Sequence, residues 1–151
     1  MLFKEANRLR IMPDTYSFDE AVAALRPAIG ADLGSTPAAT PDDILHRALR
    51  PILKLHNQRL LHLVADYARD YRLPLGTAAP ADCERLLDEL LRRNARLQHT
   101  LTGMVTSLFT TAEYAFYRRH RPEINRRLLE LTRQRVLSQA AAVVQLVTEP
   151  E

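Results

Sequence analysis

Apolar residues recur along most of this chain at intervals of three and four, the spacing that keeps one side of an α-helix out of water. The clearest instance follows Thr40-Pro41-Asp42-Asp43. Threonine as a cap, proline at the first helical position and acids beside the positive end of the helix dipole predict a helix start there. Leu45, Leu49, Ile52, Leu60, Leu63, Tyr67 and Tyr71 then mark one stripe. Pro51 falls inside it and predicts a kink or a division, because proline removes a backbone donor and collides with the preceding turn. The stripe ends near Arg72, before Pro74-Leu75-Gly76. A second stripe begins near Pro80 and runs through Leu87, Leu90, Leu97, Leu101, Met104, Leu108, Ala112 and Ala115. A third begins at Pro122-Glu123 and follows Ile124, Leu128, Leu131, Val136, Ala140, Val143 and Val147.

Upstream the pattern is weaker. Leu2 to Ile11 reads as a short helix ended by Pro13, and Ser17 with Glu20 has capping-box spacing ahead of Phe18, Val22 and Leu25. Residues 28–40 carry Gly30, Gly34, Ser35 and Pro37, the composition of a flexible connection. The pattern therefore predicts a single all-α domain over 1–151. Its expected form is a helical bundle of three long antiparallel helices plus an N-terminal helical segment, four-helix-bundle-like. Unbroken from Pro80 to His120, the second long helix would measure about 60 Å. A compact globule of this length spans only about 40 Å. Either that helix bends near Gly103 or it projects and is buried in a partner, and the second outcome predicts a homo-oligomer, most simply a dimer.

Composition supports helix over sheet: there are four Gly and no Trp, and 46% of residues are hydrophobic, enough for one sizeable core. The single Cys83 excludes an intramolecular disulfide and a thiolate metal knuckle, which fits a reducing cytoplasm. The start, Met1-Leu2-Phe3-Lys4-Glu5, has none of the parts of a secretory signal. The longest charge-free apolar stretch, Thr100 to Ala112, falls short of the roughly 18 residues of a membrane span, so no membrane insertion is expected.

The net charge of +3 is mild, but among the 21 basic residues only Lys4 and Lys54 are lysines. Between Arg118 and Arg135 stand Arg118, Arg119, Arg121, Arg126, Arg127, Arg133 and Arg135, against only Glu123 and Glu130. Seven positive less two negative charges leave +5 there, more than the net charge of the whole chain. Guanidinium groups suit both carboxylate and phosphate. The segment is therefore a candidate contact for an acidic protein or for nucleic acid, unless it is a solvated face paired with Asp82, Glu84, Asp88 and Glu89 of a neighbouring helix. Tyr114, Phe116 and Tyr117 precede it, but no helix-turn-helix, zinc-finger or aromatic sheet motif accompanies it.

Other chemistry is sparse. Asp43 with His46 and His62 with Asp66 share helix faces, but no Glu-x-x-His pair exists, so no metal or other cofactor is expected. The pattern Asn-x-Arg-Leu-x-His occurs twice, at Asn57 to His62 and Asn94 to His99, and would make a polar site only if the two copies met. Thr100, Thr102, Thr106, Ser107, Thr110 and Thr111 would line a small-ligand or metal pocket with Glu113 and one of His56, His62 or His99, unless their hydroxyls return to backbone carbonyls one turn earlier. No phosphate loop or nucleophile motif is present, and Cys83 near a helix start is no nucleophile on that ground alone. The leading expectation is a non-enzymatic interaction protein, a regulatory or adaptor subunit acting by self-association or partner binding. Nucleic-acid binding through 118–135 is the alternative, and a pocket within the bundle the third.

Overall fold

The computed structural model describes residues 17–26 and 40–150. The expected helix over Leu2 to Ile11 lies outside them, as does all of the expected connection over 28–40 except Thr40. All regular structure among the described residues is helical.

Helix α1, Phe18–Leu25, starts at Ser17, whose hydroxyl accepts from the Glu20 amide. Helix α2, Pro41–Ile44, carries the cap its sequence announces: the Thr40 hydroxyl accepts from the Asp43 amide while the Asp43 carboxylate accepts from the Thr40 amide. The chain then widens into a π-helical turn, Leu45–Leu49, before α3, Arg50–Leu55. Pro51 explains the widening. Its ring cannot clear the turn before it in tight α geometry, and a π turn, with the Arg50 amide reaching back to the Leu45 carbonyl, makes the room. Having no N–H, Pro51 also leaves the Arg47 carbonyl without the donor an α-helix would supply, and Arg26 Nη1 donates to it at 3.2 Å.

Helix α4, Asn57–Asp70, ends at Tyr71 in a Schellman motif. Arg72 takes a left-handed conformation, φ 54°, its amide reaching the Arg69 carbonyl and the Leu73 amide the Ala68 carbonyl. Helices α5, Pro80–Arg93, and α6, Ala95–Thr106, are separated at Asn94, which leaves helical geometry and accepts from the Leu97 amide at 2.9 Å. Helix α7, Thr111–Arg119, opens with a capping box of Thr110 and Glu113. Helices α8, Arg121–Leu137, and α9, Ala140–Thr148, complete the chain.

The long helices expected from the apolar stripes are thus subdivided. The stretch from Pro80 to His120 is three helices, broken at Asn94 and over 107–110; Gly103, the expected bend, sits exposed inside α6. The last stripe is interrupted at Ser138 and Gln139. The stripe survives the break at Asn94, where each piece keeps its own apolar side, but not the second: Ala112 and Ala115 are exposed, and Phe116 and Tyr117 supply the buried side of α7 instead. With the pieces folded back on the core, the length that argued for burial in a partner disappears.

Helix α9 lies along α4, and α8 packs on α5, α6 and the π turn. The buried side chains form one cluster in which Ile44, Ile52, Leu60, Leu87, Leu97 and Leu128 are fully enclosed. Thr132, the one buried polar residue among those described, returns its hydroxyl to the Leu128 carbonyl at 2.8 Å. Cys83 is buried too, its thiol directed at the Leu75 carbonyl, which makes it a core residue. No described helix is long and apolar enough to cross a membrane.

Candidate functional site

Folding sorts the seven arginines between Arg118 and Arg135 into three fates. Arg127 and Arg133 are neutralised. Arg127 pairs with Asp42 of α2 and, at 3.2 Å, with Glu123 on its own helix. Arg133 forks to Glu130 at 2.8 Å and reaches Asp88 of α5 at 2.7 Å, which makes it a tie between α8 and α5. These contacts leave their mark on the acids. Hydrogen bonds from Arg133, and then Gln134, hold the Glu130 carboxyl below its usual range. Burial by itself would raise Asp88, but hydrogen bonds from Arg133 and Arg92 outweigh it and hold that carboxyl low as well. Of the acids expected to face the arginines, only Asp88 does so; Asp82 and Glu89 instead pair with Arg85 on their own helix.

The second fate is exposure. Arg118, Arg119 and Arg126 project from the corner between α7 and α8 with no carboxylate partner among the described residues. Arg121 lies over the Tyr117 ring, 5.4 Å from its centre, and is otherwise open. The corner is held rigid from beneath. Phe116 stacks on His120 at 4.4 Å, Tyr117 packs edge-on against Phe109, and the Tyr117 hydroxyl donates to Asn125 at 2.8 Å. Tyr114, by contrast, is exposed beside the corner.

The third fate belongs to Arg135. It lies on a groove of about 940 Å³ between α3 and the start of α4 on one side and the end of α8 on the other. Arg50 and Lys54 line the same groove, and no carboxylate among the described residues does. Arg135 Nη1 donates to Asn57 Oδ1 at 3.2 Å, while the Asn57 and Gln139 amides bond to each other in both directions, at 2.9 and 2.8 Å. Neutral amides orient this guanidinium, and no carboxylate among the described residues pairs with it. Leu53 and Leu131 supply apolar wall. Sequence reasoning did not assemble this groove, although Arg50, Lys54 and Asn57, at helical spacing and without an acid among them, were the visible half of it.

The repeated Asn-x-Arg-Leu-x-His motif does not act as a pair: Asn57 joins the Arg135 network, whereas Asn94 caps α6. His62 and His99 are both exposed. His56 is half-buried with its Nε2 unpartnered, and burial, with the charge of Arg59 adding to it, pushes its pKa down. The threonine hydroxyls return to carbonyls one turn earlier, Thr100 to Arg96, Thr102 to Gln98 and Thr106 to Thr102. Glu113 is engaged by Arg26 at 2.5 Å. Thr106, Thr110 and Thr111 do border a smaller hollow of about 330 Å³ beneath Phe18 and Tyr114. Among the described residues no group of three His, Cys, Asp or Glu is placed to hold a metal ion.

No protein-family model matches the chain, and no curated protein or solved structure is significantly similar to it.

Proposed function

We propose that this chain is a non-enzymatic helical interaction protein, a regulatory or adaptor subunit of the cytoplasm, that takes an acidic protein partner on the arginine corner of α7 and α8. In this reading the helices serve as an antiparallel, four-helix-bundle-like frame, and the corner is the working surface. The observation that carries it is the division of the arginines. Arg127 and Arg133 are neutralised within the fold, whereas Arg118, Arg119, Arg121 and Arg126 stand exposed without a carboxylate among the described residues. Cations left unpaired on a surface whose other arginines are paired are available to a partner's carboxylates. Self-association through the same corner is disfavoured, because two copies would bring like charges together.

Nucleic acid is the second reading, favoured by exposed Tyr114 beside the corner, where a base would stack. It draws on fewer cations than the sequence advertised, since Arg127 and Arg133 are already occupied. The test is titration with a glutamate-rich helical peptide and with single-stranded RNA, using the native protein and the triple variant R118Q/R119Q/R126Q. The expected result is peptide binding that weakens about tenfold or more in the variant, as loss of charge-assisted contacts predicts. RNA bound more tightly than the peptide, with a salt slope of about three that the variant lowers by about two, would transfer the assignment to nucleic acid. Indifference of both ligands to the variant would sink both readings.

A further inference from the structure

The groove between α3, α4 and α8 is separate from the arginine corner, and its chemistry differs. Three cations line it: Arg50 and Lys54 from one wall, Arg135 from the other. None of the three has an ion-pair partner among the described residues, although ion pairs occupy Arg127 and Arg133 earlier on α8. Like charges gathered in one groove repel one another, and no carboxylate among the described residues lines it to offset that cost. The guanidinium of Arg135 is also positioned, through Asn57 and the reciprocal amide pair with Gln139. A side chain oriented by neutral groups keeps its full charge and its fork geometry for another ligand.

The remaining lining narrows the class of that ligand. A volume of about 940 Å³ is far larger than an inorganic ion needs and lies at the upper end of ordinary small-molecule sites. Leu53 and Leu131 offer apolar wall for an organic body, and Gln58 and Ser138 offer neutral polar groups at its edge. The π turn over Leu45–Leu49 ends immediately before Arg50, and such turns are frequent at functional sites.

We infer that this groove binds a small organic molecule bearing a compact, multiply charged oxyanion, with phosphate esters of the di- or triphosphate kind as the matching class. Arg50 and Arg135 grip phosphate oxygens through their planar forks, Lys54 adds a point charge, and the organic portion rests on Leu53 and Leu131. A tricarboxylate shares the anionic chemistry, and a separate arm of the experiment distinguishes it.

The experiment is isothermal titration of the full chain, free of divalent metal, with adenosine triphosphate, inorganic pyrophosphate and citrate in turn. Saturable binding of the triphosphate and of pyrophosphate is expected, with one ligand per chain. The variant R50Q/K54Q/R135Q should weaken it about thirtyfold or more, the scale of losing two or three charge-assisted contacts. R118Q/R119Q/R126Q, at the corner, should change it less than about twofold. Because Arg50 and Lys54 are exposed, R50Q/K54Q serves as a second variant that leaves the Arg135 network intact, and it should show an intermediate loss. Citrate bound more tightly than both phosphate ligands overturns the phosphate assignment. Absence of saturable binding of all three up to about 5 mM, or a loss shared equally by corner and groove variants, overturns the site.

Discussion

Arg26 holds α1 to the rest of the molecule. Its guanidinium takes Glu113 in both forks, at 2.5 and 2.8 Å, and donates to the carbonyls of Arg47 and Leu108, so one side chain joins α1, the π turn and the start of α7. Both partners of the ion pair are mostly buried, with side chains 13% and 12% exposed. Removing Arg26 would strand the Glu113 charge and take from the Arg47 carbonyl the hydrogen bond that Arg26 donates. R26A is therefore expected to destabilise the protein by about 3 kcal/mol, measured by urea unfolding. A loss below about 1 kcal/mol would mean that α1 is dispensable to the core. In the sequence Arg26 was only the residue before Pro27. Nothing local distinguishes it, because its partners lie far along the chain.

The elements show how local and distant forces divide the work. Caps were legible: Thr40 with Asp43 starts α2 as its spacing implies, and Ser17 starts α1. Breaks inside the long stripes were not. Asn94 interrupts two helices because its side chain caps α6 better than it continues α5, and an asparagine between helix formers gives little warning of that. Gly103 drew attention for its low propensity yet stays helical, since the packed positions Leu101 and Val105 hold the turn on either side of it. A methyl group added at Gly103 would meet nothing within 4 Å. G103A is accordingly expected to stabilise the protein by about 0.5–1 kcal/mol, through the reduced freedom of the unfolded chain, with a matching rise in melting temperature. A fall in melting temperature would show that α6 needs its glycine.

Across the whole molecule the charges act as ties as well as surface. Arg133 links α8 to α5 through Asp88 and holds Glu130, and both carboxyls titrate below their unfolded values. Their contribution to stability is therefore complete above the ordinary carboxylate range near pH 4 and is lost as pH falls through the lower folded values. Melting temperatures followed from neutral pH down to about pH 2 should decline more steeply for the native protein than for R133Q. Parallel curves would show that the tie contributes nothing. The apolar period of the sequence determined by itself that the described residues would be helical, where the capped starts at Ser17 and Thr40 would fall and much of the buried stripe, because helix periodicity and capping act over a few residues. Tyr71, Ala112 and Ala115 of those stripes nevertheless stand exposed. Only tertiary structure decided where the long stripes break, which arginines are neutralised, and that Arg50, Lys54 and Arg135 share one groove. Those outcomes depend on which distant groups meet when the helices pack, and charge in a sequence carries no record of its partner.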